Sequence, residues 1–453
     1  MGISNIFDIG TKSLTAYQGA LDVTANNISN SSNPDYSRQV AVLGTDTPQQ
    51  IGGFIWGTGV KLEDITRVRN GLTDQQIRDN NSKYSNSNAS NVLLNQVQNL
   101  LDEPSDQGIS NLTTSFLNSW QQLSVTPNSV SLRQNVVQAA QTLSDKIQSV
   151  NNGMDSIQTS VKNQINTDVT SVNNDLQQIQ SLNAQIFNMQ SAGQSPNDLL
   201  DTRDKAIDDL SNLVNINVNF DSSNVANISI GGVFAADKVS AVQFKTSIQN
   251  GKVVVTSQDG ASTLNLTGGD LNAATDVYNN KIPSYKSSLD SFVNNLMQSV
   301  NSQQSSGYTL DNPPQTGINF FDSYTNGVLK INNLVANDPN KIAASADGTS
   351  GNGDIALNIA GLSTQKQANG STILDNYTSL VSQIGTDVKG TSDTATSYNL
   401  TIQQLQQQKA SYSGVSVDEE MTNVIKYQRS YTAAAKLITV ADQMLQTLLN
   451  IVS

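Results

Sequence analysis

Residues 3–28 read ISNIFDIGTKSLTAYQGALDVTANNI. Within them Ile3, Phe7, Gly10, Leu14, Tyr17, Leu21, Thr24 and Ile28 follow a 4-3-4-3 spacing. That repeat keeps a mostly apolar seam on one side of a supercoiled helix. Asn33-Pro34 ends the helix, because the residue before a proline is pushed out of the α region. The other end of the chain repeats the pattern. Val417, Met421, Val424, Gln428, Tyr431, Ala435, Ile438, Asp442, Leu445 and Leu449 keep the same spacing, with Gln428 and Asp442 interrupting the seam. Ser416-Val417-Asp418-Glu419 reads as a capping box, and Asp418 and Glu420 suit the positive end of the helix dipole. Taken alone, each stripe would suit an ordinary core helix or an intramolecular hairpin. Two short stripes at opposite extremes of 453 residues, each needing packing to be stable, point instead to a seam that neighbours cover.

Between these ends the pattern is nested. Helical periodicity runs over 91–101 and 109–123, broken by Glu103-Pro104 and Thr126-Pro127, and then over 131–191. Asn151-Asn152-Gly153 reads either as a turn between two antiparallel rods or as a weak point in one long helix. Ser195-Pro196-Asn197-Asp198 opens a further helix, with Ser195 as cap and Asp201–Lys205 as an outward i,i+4 pair. At Val214 the period changes to two: Val214, Ile216, Val218 and Phe220 alternate with Asn215, Asn217 and Asn219, as in a half-buried strand. Asn250-Gly251 between two β-prone runs predicts a hairpin. Helical spacing returns over 271–300, a loop-rich insert reaches 361, and a last helical run covers 372–411.

The fold class expected is mainly α with β-rich inserted material. A terminal helical unit takes 1–40 with 412–453. A long-helix rod takes 41–212, 270–306 and 362–411, and an outer β-rich or irregular unit takes 213–269 and 307–361.

Composition narrows the function. The apolar fraction is 36%, the aromatic fraction 5% and the charged fraction 14%, which suits long helices burying one narrow stripe. The net charge of −13 argues against nucleic acid, which calls for clustered Lys and Arg. There is no cysteine and no histidine, so thiolate catalysis, disulfides, Cys- or His-based zinc sites and the commonest general base are all removed. Asp418-Glu419-Glu420 is read as a helix start rather than an acid–base cluster, and Gly57-Thr58-Gly59 as a turn rather than a phosphate loop. A glycosidase-like pair of carboxylates is the enzyme alternative that composition leaves open. No stretch suggests a membrane span or a cleaved leader, so the expectation is a cytosolic chain or one exported without signal cleavage.

Several motifs carry a resemblance. Leu21-Asp22-Val23-Thr24-Ala25-Asn26-Asn27-Ile28-Ser29-Asn30, followed by Asn33-Pro34-Asp35-Tyr36-Ser37, is similar to the N-terminal signature of flagellar axial proteins. The extension Tyr36-Ser37-Arg38-Gln39 resembles the hook-associated protein 1 family, which forms the first junction between hook and filament. So do Pro196-Asn197-Asp198-Leu199-Leu200-Asp201-Thr202-Arg203-Asp204 and Gly268-Gly269-Asp270-Leu271. Ser413–Met421, which includes Asp418, Glu419 and Glu420, and Tyr427–Tyr431 match its C-terminal helix. The resemblance implies a structural, non-enzymatic subunit without cofactor or metal, exported unfolded through the flagellar type III apparatus to the hook–filament junction. It implies self-assembly in a ring through terminal helices that order on assembly. The hook subunit would lie on one side and the second hook-associated protein on the other. A cytoplasmic chaperone would hold the C-terminal helix, and no nucleic acid or membrane would be bound. Other axial proteins (hook subunit, second junction protein, flagellin) and a secreted adhesin are the competing readings.

Overall fold

The computed structural model describes residues 2–51, 53–367 and 370–452. The first helix, α1, spans Ile3–Ser29. A long hairpin follows, built from β1 (Gln39–Thr45) and β4 (Val60–Arg67), antiparallel from Gln39 opposite Arg67 to Thr45 opposite Val60. Its far end folds into a smaller hairpin of β2 (Gln49–Ile51) and β3 (Phe54–Trp56). This arm lies along α1. Gly19 leaves room for the Leu62 side chain, Gly59 for Ile9, and Lys12 pairs with Asp46 at 2.7 Å. Gly57-Thr58-Gly59 is not the expected turn but an irregular link by which β3 runs on into β4, with the Thr58 hydroxyl donating to the Thr47 carbonyl at 2.8 Å.

The rod begins with α2 (Gly71–Leu101), where the Asn70 side chain accepts from the amides of Leu72 and Thr73. After α3 (Ile109–Val125) comes α4 (Val130–Ser191), 62 residues and roughly 93 Å long at 1.5 Å per residue. Its two apolar stripes are buried over most of their length, so the long-helix alternative holds and there is no turn at Asn151–Gly153. Gly153 is explained by close approach, since a Cβ there would collide with Leu100 of α2. Next is α5 (Asn197–Leu213). Here two expectations are corrected. Ser195 does not cap α5: its hydroxyl donates to Asp64 of the arm, and Pro196 occupies the cap position. Lys205 pairs with Asp209 at 3.0 Å, while Asp201 turns inward.

The β material follows. β5 (Ile216–Phe220), β6 (Ala226–Ile230) and β7 (Val233–Ala236) form a three-stranded antiparallel sheet. β8 (Phe244–Gln249) and β9 (Lys252–Ser257) form the predicted hairpin, with Asn250 and Gly251 at φ 52° and 75° as a type I′ turn requires. α6 (Asp270–Asp276) runs through a π-helical turn into α7 (Ile282–Ser306). The second insert is more ordered than its composition suggested. It holds the hairpin of β10 (Phe321–Thr325) and β11 (Val328–Ile331), then α8 (Asn333–Asn337) and α9 (Asp354–Gly361). The chain returns through α10 (Ile373–Ser413), opened by a capping box of Thr372 and Asp375, and ends in α11 (Val417–Val452).

The main core is strung along α4 and draws its buried residues from Leu94 to Ile384. One end of it is aromatic: Phe116, Trp120, Phe320 and Phe321 meet with centroids 4.8–6.3 Å apart. Gly269, in the motif before α6, sits at φ 81° and ψ 168°, a region essentially restricted to glycine. A Cβ there would also strike the backbone of Leu213 and Val214. Gly269→Ala is expected to cost at least about 1–3 kcal/mol from the backbone conformation alone. A urea midpoint unchanged from the parent chain would refute this.

Candidate assembly face and its clasp

α1 and α11 form an antiparallel pair. Gly10 faces Ile438, where a Cβ would come within 2.6 Å of Cγ1, whereas Arg38, just beyond α1, lies 3.7 Å from Glu419 at the start of α11. The buried line of α1 is made of small side chains, Gly10, Ser13, Ala16 and Ala20, then Val23, Thr24 and Asn27. The larger seam residues Ile3, Leu14, Tyr17, Leu21 and Ile28 are half-buried at its edge, and Phe7 is exposed. On α11 the contact line runs through Glu420, Ala434 and Ala441, which are buried, with Val424, Tyr427 and Ile438 half-buried. Small residues in the contact line bring the two axes close and leave the bulky ones outside.

Most of the C-terminal seam is therefore uncovered. Val417, Met421, Tyr431, Leu445 and Leu449 are exposed, and Ile425, Leu437, Val440, Met444, Leu448 and Ile451 add to them. Near the end Met444, Leu445, Leu448, Leu449 and Ile451 make a broad apolar face opposite Gln443, Gln446, Thr447 and Asn450, with Leu449 67% and Ile451 75% exposed. An apolar face of that size marks a contact surface, which this chain does not cover. Each such side chain contributes about 1.5–3 kcal/mol when fully buried. At the start of α11 the Ser416 hydroxyl accepts from the Glu419 amide at 3.4 Å. The reciprocal half of the expected box gives way to the ion pair of Glu419 with Arg38, because a cation is within reach.

The two motifs that are 158 residues apart in sequence meet at the base of this pair. The Ser37 amide and hydroxyl donate to the Asp201 carboxylate at 3.1 and 2.7 Å. Gln39 donates to Asp198 at 3.3 Å and accepts from Asn197 at 3.4 Å, and Asn197 also donates to the Ile65 carbonyl at 2.7 Å. Asn27 exchanges hydrogen bonds with the Gln39 backbone at 2.8 and 2.9 Å and accepts from the Tyr36 hydroxyl at 2.8 Å. Burial and the carboxylates of Asp198, Asp201 and Glu420 push the Tyr36 phenol well above its ordinary range, so it stays a donor. Arg38 gives its amide to the Ser413 carbonyl at the end of α10. Leu200 packs with Leu182 and Ile186 of α4, with Leu199 beside it.

Beneath this lies a buried ionic clasp that periodicity did not reveal. Arg67 reaches Asp201 at 2.6 Å and Asp204 at 2.9 Å; Arg69 bonds Asp204 and lies 2.8 Å from Asp74; Arg78 holds Asp208 at 2.6 Å. Arg203 donates to Asn183 at 3.2 Å and to the Asn224 carbonyl at 2.5 Å. Burial alone would raise Asp204, but the surrounding Arg69, Arg67, Arg203 and Arg78 hold it below the usual carboxylate range. Burial lowers Arg203 to about 10. A signal for the clasp was present: Asp201, Asp204 and Asp208 recur at spacings of three and four on the same face as Leu200 and Ile207, and Arg67-x-Arg69 points two guanidinium groups the same way from a strand end. The clasp joins the arm, α2 and α5, and Lys409 of α10 reaches Asp74 at 3.5 Å. Chemically the arrangement is a joint. Among the described residues no group of three or more His, Cys, Asp or Glu could hold a metal ion, and no helix is long and apolar enough to cross a membrane.

The family described as flagellar hook-associated protein FlgK helical domain matches residues 94–321, and that described as flagellar basal body rod FlgEFG protein C-terminal matches 406–451. A flagellar hook-associated protein 1 of Bacillus subtilis is 28% identical over 97% of this chain and 96% of its own length. One of Salmonella typhimurium is 24% identical over 99% of this chain and 100% of its own. The flagellar hook junction protein FlgK of Burkholderia pseudomallei shares the fold, with a TM-score of 0.64 over 75% of this chain and 100% of that one, at 15% identity. With the helical-domain family covering half of its length, the chain belongs to the flagellar hook-associated protein FlgK family.

Proposed function

We propose that this chain is a structural subunit of the bacterial flagellum at the junction between hook and filament. The observation that carries this reading is the uncovered apolar surface of α11 beside α1, at the end of a rod whose own core is complete. The chain passes the flagellar type III apparatus unfolded and without signal cleavage. The absence of cysteine suits that route, since no bridge can trap it. At the distal end of the hook the α1–α11 pair packs with those of sister copies in a ring. The hook subunit lies below and the second hook-associated protein above. Before export the exposed face of α11 is the surface a cytoplasmic chaperone would hold. The terminal pair forms the inner layer, the α2–α10 rod surrounds it, and the β-bearing inserts face outward.

The role is mechanical rather than catalytic. The carboxylates gathered in the clasp, Asp201, Asp204 and Asp208, are bound to arginines and buried or half-buried. Labelled antibody on hooks isolated from a strain lacking filament should mark the distal hook tip. Label along whole filaments, or none on the hook, would reject the reading.

A further inference from the structure

The exposed apolar surface extends beyond α11. The β2–β3 hairpin projects Phe54 and Ile55, 70% and 77% exposed, with the Trp56 ring edge-on to Phe54 at 6.4 Å. The base of the hairpin is seated, because Gln49, Trp56 and Thr58 border Asn5, Asp8 and Ile9 near the start of α1. α11 passes the same level, where Ile438 faces Gly10. Beyond that point α11 continues for fourteen residues and α1 for seven, so about 10 Å of α11 overhangs. Knob and overhang thus stand at the same end of one molecule.

Charge selects the occupant. Copies of a chain with net charge −13 repel one another, yet no charged residue occurs from Thr47 through Val60 or from Gln443 through Ser453. Both segments suit contact with another copy. In a ring, identical molecules stand side by side at one height, and a patch on each meets a different patch on the next. Resting on the junction reading above, we propose that Phe54 and Ile55 of one copy seat against the Met444–Ile451 face of α11 in the neighbouring copy and so close the ring laterally.

The chain has no cysteine, so introduced thiols are the sole ones. Ile55→Cys and Leu448→Cys chains, produced together and oxidised within isolated hooks, should yield a disulfide-linked pair of chains. A single chain carrying both changes should yield a ladder to trimers and beyond, and each single variant alone should stay unlinked. Phe54→Asp with Ile55→Asp should lower incorporation at least tenfold while leaving the circular dichroism and melting of the soluble monomer unchanged. Mixed copies that reach the hook but remain unlinked, purely intramolecular closure in the double variant, or normal incorporation of the Asp variant would overturn the proposal and leave the junction reading standing. Absence of the parent chain from the distal hook would overturn both.

Discussion

Removal of residues 417–453 is expected to leave a soluble, folded rod that no longer joins the flagellum. The main core draws its buried residues from Leu94 to Ile384 and nothing from α11, so its packing survives the deletion. The principal partner of α11 within the chain is α1. Without it, the line of Gly10, Ser13, Ala16 and Ala20 faces water, and an isolated helix with that composition is marginal. The loss of helical signal should therefore exceed the 36 residues of α11 and approach a further 27 from α1. Incorporation at the hook should fall by at least about 100-fold, equivalent to roughly 3 kcal/mol of lost contact, less than full burial of two of the exposed leucines would supply. A gentler variant separates assembly from folding. Leu445→Asp with Leu449→Asp alters exposed positions, so monomer stability should stay within about 0.5 kcal/mol while swimming is lost. Normal filament growth on either variant would contradict the role assigned to α11.

Asp204→Ala is expected to be the most damaging single substitution in the clasp. It takes one of two carboxylates from both Arg67 and Arg69, whose side chains are mostly buried and which keep only Asp201 and Asp74, and breaking one partner out of a buried ionic set costs up to about 3–5 kcal/mol. Asp204→Ala should lower the unfolding midpoint sharply, and hydrogen exchange should quicken in β4 and α5 before the distal core. The pH dependence has a definite sign. Asp204 is held below its ordinary value in the fold, so its stabilisation is present above the unfolded pKa of about 3.9 and is lost as pH falls through the lower folded value. Asp208 works in the opposite sense, because burial raises it against the pull of Arg78. Equal exchange rates in parent and variant would show that the clasp carries no such load.

The sequence made the helices legible wherever one face met one core. The stripes of α4 record burial at a fixed period, the spacing of Ile3–Ile28 and Val417–Leu449 records the helices but not burial within this chain, and Asn250-Gly251 records a backbone conformation. The arm was not legible, because an extra residue near Glu63 bulges β4 between Leu62 and Asp64 and breaks its alternation. Which face of the terminal helices is buried was only partly readable, since glycine and alanine in the contact line carry little hydrophobic signal. Lys205 was assigned a local partner worth a few tenths of a kcal/mol and Ser195 a cap worth about 1 kcal/mol, and these preferences yield to Ser37 and Arg67 on Asp201 and to Asp64 on Ser195. The motif residues stood out one by one, but nothing local told that Tyr36–Gln39 and Asn197–Arg203 are one contact.

The uninterrupted course of α4 has a mechanical consequence. It contains no proline, its one glycine is braced by Leu100, and sharp kinks need such breaks, so the helix behaves as a shaft without a knuckle. A load applied at one end of such a helix would pass along it with little bending on the way. On the proposed junction role, any give between the rod and the terminal helices would fall where the arm meets α5, at the ion pairs of Arg67 and Arg69 with Asp201 and Asp204.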